Sequence, residues 1–410
     1  MNNASFHALG LTPELLRALD EEGYTQPTPI QQEAIPLVLT GRDLVGSAQT
    51  GTGKTAAFIL PILQRLKNGR RGTLRALILV PTRELAEQVV TSAKAYGRHT
   101  GLTSVAFYGG TTLGPQIKAL SRGLDIAIAT PGRLLDLMER RHVNTSKIEV
   151  LVLDEADRML DMGFAPDVSR ILGTLPPKRQ TLLFSATMSP DVSRLARQAM
   201  KDHAAVEIGR GGSAADNIEH VLVTVDKTEK RQALSKILTE LPRGRTLIFT
   251  RTKHGADRLA KQLRTTGTHV AALHGGKTQR ARNTALESFR NGKVPILVAT
   301  DVAARGIDVD NIAMVVNFDV PREPEVYVHR VGRTARAGAE GVALTLMSSD
   351  EWLHMSDVEH LIGRTFPREV LPGFEPTTPA VVAAAPARQR ERVAPRHPSV
   401  GPRRGGARRR

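Results

Sequence analysis

Cysteine is absent from all 410 residues, tryptophan occurs once, and aromatic side chains make up 4% of the chain. Without cysteine there can be no disulfide, thiolate metal site or cysteine nucleophile, which fits a reducing interior. There is also no uninterrupted apolar run of about 18 residues and no charged-then-apolar signal at the amino terminus. Neither membrane spanning nor secretion is indicated, and a cytoplasmic location is expected. The twelve histidines include no H-E-x-x-H or similar pairing, so each is expected to be structural or exposed. With 40% hydrophobic and 24% charged residues, the chain can bury two ordinary cores and is neither fibrous nor wholly disordered.

Positive charge is in excess. The net charge is +16, and residues 376–410, with nine arginines and only Glu391 against them, carry half of it. Such a balance favours polyanions, nucleic acid or an anionic membrane, through counterion release and steering.

The most informative run is Ala48-Gln49-Thr50-Gly51-Thr52-Gly53-Lys54-Thr55, between a strand-like stretch (Asp43 to Gly46) and a predicted helix. Gly51 and Gly53 let backbone N–H groups turn onto an anion, and the helix adds its positive end. Lys54 would neutralise β- and γ-phosphates and Thr55 would ligate Mg²⁺, although Ala48 stands where the strict pattern has glycine. Downstream, the apolar run Val150 to Leu153 ends in Asp154-Glu155-Ala156-Asp157. Carboxylates are thereby placed at the carboxyl end of a predicted buried strand, where open α/β sheets bind ligands. Asp154 could hold Mg²⁺ through water, and Glu155 could deprotonate a water for attack on the γ-phosphate. The chain reads first as a nucleoside triphosphatase.

Short apolar runs recur at Leu77 to Val80, Ser104 to Phe107, Ile126 to Ala129, Val150 to Leu153 and Leu182 to Phe184. After the glycine-rich stretch Gly209 to Ser213 the rhythm resumes at Val221 to Val225, Leu247 to Phe249, Val270 to Leu273, Ile296 to Val298, Met314 to Val316 and Val342 to Leu346. Segments of helical length separate them, which predicts two α/β domains with parallel sheets joined by a linker. Thr12-Pro13-Glu14 predicts a helix start, with Leu15, Leu16 and Leu19 at helical spacing, as an appendage before the body. Beyond Pro367 the composition predicts a disordered basic tail. In the second domain Arg330, Arg333 and Arg336 recur every three residues, near one face if that segment is helical. Guanidinium groups so placed suit either a transferring phosphoryl group or a basic surface.

More motifs follow in a fixed order. They run Gly23 to Gln31, the phosphate loop, Pro81 to Ala86, Gly109-Gly110, Thr130 to Arg133, Asp154 to Asp157 and Ser185-Ala186-Thr187, then Leu247 to Thr250, Gln279 to Arg282, Ala299 to Asp308 and His329 to Gly338. Over residues 5 to 365 the chain resembles the DEAD-box ATP-dependent RNA helicases of superfamily 2. Its lean core and basic tail are similar to the bacterial RNA helicase E-like subgroup.

The resemblance implies two tandem RecA-like, doubly wound parallel-sheet domains of the α/β class with a disordered basic C-terminal tail. The segments would be residues 1–35 (N-terminal helix and adenine-recognition motif), 36–208 (first domain), 209–216 (linker), 217–367 (second domain) and 368–410 (tail). It implies ATP and Mg²⁺ as cofactors, with Phe6, Tyr24 and Gln31 at the adenine and Asp308 at the ribose. Glu155 would be the catalytic base and Arg333 and Arg336 arginine fingers. Asp157, Ser185, Thr187 and His329 would couple hydrolysis to strand separation. RNA would lie on Pro81, Thr82, Arg83, Gly110, Thr130, Pro131, Gly132, Arg133, Arg251, Arg282 and Thr300, a surface that grips phosphate and sugar instead of sequence. Ribonucleoprotein or RNA-decay proteins would be partners, and membranes would not. Gly276 and Ala335 depart from common family residues and are expected to tune rates. The motifs leave open an unwinding enzyme, an ATP-gated clamp or a DNA-directed translocase.

Overall fold

The computed structural model describes residues 5–48, 51–208, 218–240, 244–304, 309, 312–335 and 340–377, with the backbone alone at residue 302. The expected linker at 209–216 and the basic segment from 378 onward lie outside the described residues, as do Gln49, Thr50, Asp308 and Arg336.

The apolar runs become two 7-stranded sheets. The first contains β1 (Asp43–Ser47), β2 (Ala76–Leu79), β3 (Ser104–Phe107), β4 (Ile126–Ala129), β5 (Val150–Leu153), β6 (Gln180–Ser185) and β7 (His203–Glu207). The second contains β8 (Ile218–Thr224), β9 (Arg245–Phe249), β10 (Val270–Leu273), β11 (Ile296–Ala299), β12 (Ile312–Asn317), β13 (Gly341–Met347) and β14 (Arg368–Val370). The strand orders are β3-β4-β2-β5-β6-β1-β7 and β10-β11-β9-β12-β13-β8-β14, the same topology twice, and every pairing is parallel.

Helices cover both faces, which is why the central strands are unbroken apolar runs. In β5, Val150 and Val152 enter one core while Leu151 and Leu153 enter the other. The second sheet divides likewise, with Ile248 on one face and Leu247 and Phe249 on the opposite one. In each sheet the loops that carry the motifs leave the carboxyl ends of the strands.

Two expected boundaries are corrected. The helix Pro13–Glu21 is no appendage, because Leu15 and Leu19 are wholly buried in the core that also holds Phe58, Ile62 and Val89. Polar ties fasten it to the helix Lys54–Leu66 and its cap: the Thr12 N–H donates to Gln64 at 2.9 Å, and Lys67 pairs with Glu14 at 2.6 Å. The first domain therefore begins before residue 36. Replacing Leu19 by Ala is expected to cost about 2–5 kcal/mol, read as an earlier unfolding midpoint of this domain; a detached helix would show no shift.

The second correction concerns the tail. Residues 368–370 form β14, which pairs with β8 just as β7 pairs with β1. Leu371 and Phe374 then pack on the second core, and Thr377 donates to Asp226 through both its N–H and its hydroxyl. The second domain thus extends ten residues past its expected end.

Candidate nucleotide and RNA site

The phosphate loop leaves β1 beneath Phe184, where a Cβ on Gly46 would come within 2.6 Å of the ring. Gly51 and Gly53 adopt φ of 88° and 91°, a region that favours glycine. Gly53 is doubly constrained, since a Cβ there would lie 2.4 Å from the Gln31 amide nitrogen. The helix Lys54–Leu66 begins at once, so its unpaired N–H groups and dipole face the loop. Lys54 is buried and donates from Nζ to the Ala48 carbonyl at 2.8 Å; Thr52 and Thr55 are half-buried beside it.

Gln31 is 2% exposed and its amide is spoken for at both ends. Oε1 accepts from the Thr28 N–H at 2.9 Å, capping its own helix, and Nε2 donates to the Gly53 carbonyl at 3.1 Å. The motif upstream is thus hydrogen-bonded into the phosphate loop itself. Phe6 and Tyr24 meet edge to face at 6.4 Å, and Tyr24 shares a 2.9 Å hydrogen bond with Tyr96 while remaining 39% exposed.

At the end of β5, Asp154 is wholly buried, and burial pushes its carboxyl up to about 7 although the Lys54 charge pulls the other way. Its Oδ1 accepts from the Glu155 N–H at 2.9 Å. Glu155 is left-handed (φ 52°, ψ 51°), and its carboxylate accepts from Arg158 at 2.8 Å. Asp157 organises the Ser185-Ala186-Thr187 motif: its Oδ2 accepts from the Ala186 and Thr187 N–H groups at 3.0 Å and from the Thr187 hydroxyl at 3.2 Å. Ser185 closes the knot, accepting from the Asp157 N–H at 3.3 Å, donating to the Thr187 carbonyl at 2.8 Å, and receiving at its own carbonyl the Ala48 N–H at 3.1 Å. The phosphate loop, Asp157, Ser185 and Thr187 are one hydrogen-bonded unit.

The second domain meets this unit across a cleft. His329 lies near Asp157 and Arg158, and its Nε2 is buried without a hydrogen-bond partner. Burial and the Arg158 charge push His329 down to about 4, although the Asp157 carboxylate pulls the other way. Burial works against ionisation of Asp157, yet its carboxyl sits below the usual range because His329 and then the Lys54 and Arg158 charges face it.

The arginine series does not share a helical face. The helix Pro324–Val331 stops before Arg333, which lies on the following turn. Arg330 is structural: it grips Asp301 with two bonds of 2.6 and 2.9 Å, donates to Asn317 and to the Asp319 carbonyl, and stacks 5.1 Å over Phe249. Arg333 is 3% exposed, donates to the His329 carbonyl at 3.3 Å, and lines with Arg158 and His329 an interdomain cavity of about 20 Å³, room for one water. Ala335, the next departure from glycine, has φ 53°. Among the described residues no group of three His, Asp or Glu could hold a metal ion by itself.

The expected RNA contacts sit past the carboxyl ends of β2, β3, β4, β9 and β11. Thr82 caps the helix Arg83–Tyr96 through a 3.2 Å bond from the Leu85 N–H, burying it with Pro81. Arg83 lies against Gly110, where a Cβ would come within 2.9 Å of its guanidinium. Thr130, Pro131 and Gly132 open the helix Pro131–Glu139, with Gly132 exposed, and Arg133 donates to the Thr111 carbonyl at 3.2 Å. Thr300 starts the turn Asp301–Ala304. Two arginines are committed elsewhere. Arg282 forms a buried 2.6 Å ion pair with Glu84 across the cleft, and Arg251 donates to Glu351 at 3.0 Å and to the Val320 carbonyl.

Two domain families cover most of this architecture: residues 28–195 match the DEAD/DEAH box helicase model and residues 229–338 the helicase conserved C-terminal domain. ATP-dependent RNA helicase RhlB of Pseudomonas syringae pv. tomato is 43% identical over 376 residues, 90% of this chain and 95% of that protein. The chain belongs to the DEAD-box helicase family. DEAD-box ATP-dependent RNA helicase 30 of Arabidopsis thaliana is 46% identical over 84% of this DEAD-box chain, which spans only 59% of the plant protein. A structure of S. cerevisiae Dbp5 bound to RNA and ADP BeF3 superposes with a TM-score of 0.81 at 33% identity, covering 89% of this DEAD-box chain and 95% of that one.

Proposed function

We propose that this chain is an RNA-stimulated ATPase that couples ATP hydrolysis and cleft closure to local unwinding of short RNA duplexes and remodelling of RNA–protein complexes. The observation that carries the reading is the meeting of domains: Arg158, bonded to Glu155 of the first, shares a cavity with His329 and Arg333 of the second, and Glu84 pairs with Arg282 across the cleft. A site divided this way can react only when the cleft is shut, so hydrolysis follows whatever closes it. The likeness to Dbp5 in its RNA- and ADP BeF3-bound form, with both domains superposed together, supports this as the closed arrangement.

In this reading Gly51, Gly53 and Lys54 hold the phosphates with Ala48, Gln49, Thr50 and Thr52. Gln31 and Tyr24 contact adenine beside Phe6, and Asp308 contacts the ribose. Since Gln31 is bonded to the Gly53 carbonyl, base recognition is felt directly by the phosphate loop. Glu155 takes the proton of the attacking water, and Arg333 with Arg336 meets the charge that develops on the phosphoryl group. Mg²⁺ fits Asp154 and Thr55: a buried carboxyl pushed up to about 7 gains its ionised form beside a divalent cation. When bound, that ion would neutralise phosphate charge.

RNA would cross the small residues and arginines at the strand ends, with phosphate and sugar as the contacts. Ribonucleoprotein or RNA-decay partners follow from the family and not from any surface described above. The test is ATP hydrolysis with single-stranded RNA, with DNA of equal length, and with neither. Stimulation by RNA alone is expected; equal response to DNA, or none to RNA, would overturn the substrate. Removing residues 378–410, which hold nine arginines and one glutamate, is expected to weaken RNA binding and flatten its salt slope while leaving the RNA-saturated rate nearly unchanged. Filter binding across salt concentrations checks this, and an unaltered slope would refute a tethering role.

A further inference from the structure

We infer that Arg158 is a positioning residue for hydrolysis, a clamp on the Glu155 carboxylate that tightens when the second domain closes. The inference rests on the ATPase reading above and assigns a side chain that reading does not use.

Arg158 follows Glu155 by three residues in the short helix Ala156–Asp161, so its side chain returns along the same face. Nη1 donates to the Glu155 carboxylate at 2.8 Å, with the two side chains only 2% and 6% exposed. The base needs such a hold. Its backbone is in the left-handed region, and the 2.9 Å bond from its N–H to Asp154 anchors the main chain but not the carboxylate.

The second domain is what encloses the clamp. Arg158 lines the interdomain cavity of about 20 Å³, and every other residue around that cavity, including Phe249, Asp301, His329, Arg330 and Arg333, comes from the second domain. With that domain withdrawn, the pair would face water, where an i,i+3 ion pair is weak and screened. In the closed cleft the same pair sits in a low dielectric and is held firmly. Of the two arginines opposite, Arg330 is neutralised by its two bonds to Asp301, so Arg333 is the charge that shares the cavity with the Arg158–Glu155 pair. Glu155 is therefore firmly oriented only when the turn bearing Arg333 is in place. ATP held by an open cleft meets a loosely held base, and closure supplies orientation together with the arginine.

The test uses the full-length chain with one fluorophore on each domain. Arg158→Met keeps bulk and removes charge; Arg158→Lys restores a cation. With saturating single-stranded RNA, Arg158→Met is expected to lower the single-turnover hydrolysis rate about tenfold to a hundredfold. KM for ATP, and the closed fraction read by energy transfer with RNA and ADP–beryllium fluoride, should stay within about twofold of wild type, and Arg158→Lys should regain part of the rate. Added to Glu155→Gln, Arg158→Met should change the residual rate by less than about twofold, since both act through one carboxylate. An unchanged rate, a closed fraction that falls in step with the rate, or additive losses in the double variant would each overturn the clamp. If Arg158→Met fails to fold, Arg158→Gln takes its place in every arm. Wild type whose hydrolysis ignores RNA would overturn the proposed function itself, an outcome separate from those three.

Discussion

Arg333→Ala is expected to lower the RNA-saturated ATPase rate by about 10³- to 10⁵-fold, the effect of losing an arginine that meets transition-state charge. ATP affinity should change little, because the interaction is made with charge that develops during transfer and not with the ground state. The placement argues for Arg333 over its neighbour in the series. Arg333 lies on the turn past the helix, 3% exposed, beside the cavity that faces Arg158. Arg330 is bound to Asp301, Asn317 and the Asp319 carbonyl within the second domain. Arg330→Ala should therefore lower the unfolding midpoint by more than Arg333→Ala does. Steady-state hydrolysis and thermal melting of both variants separate the two roles, and a melting loss in Arg333→Ala equal to that of Arg330→Ala would remove the finger assignment.

The second large effect is expected at Glu155. Glu155→Gln should reduce hydrolysis by about 10²- to 10⁴-fold, the range for removing a general base, while ATP and RNA still bind. The amide keeps the shape of the side chain and can still accept from Arg158, so closure around RNA and ATP should persist and the complex should accumulate. Phosphate release together with RNA binding in the presence of ATP checks both halves. A residual rate above a tenth of wild type would mean that another group takes the proton.

Much of this arrangement was legible in the residues. Central strands such as β5 are unbroken apolar runs because helices bury them on both faces, and a run of that kind announces itself. The phosphate loop was legible because Gly51 and Gly53 are required by positive φ, a demand that local chemistry makes on residue type. The edge strands β7 and β14 were not legible. Each has only one neighbour and a partly exposed face, so His203–Glu207 and Arg368–Val370 carry mixed residues that resemble loop. The helix Pro13–Glu21 has a readable start, but its burial depends on the helix Arg83–Tyr96, about seventy residues away in sequence.

Charged side chains divided in the same way. An arginine's type states what it can bind, and its partner decides what it does. Arg282 was expected on RNA, and its guanidinium spans the cleft to Glu84; Arg330 and Arg333 share a spacing but not a set of partners. Arg158 carried a local signal, a cation three residues after a carboxylate, yet its meaning depends on walls supplied by another domain. The sequence by itself determined the two parallel sheets, the phosphate loop and the acids at the strand end, since these follow from hydrophobic period, backbone conformation and the chemistry of nearby residues. Tertiary structure alone decided where the domains end, which arginines face the cleft, and how Gln31 and Asp157 tie their motifs together, because those outcomes depend on contacts between segments whose spacing along the chain says nothing of their distance in space.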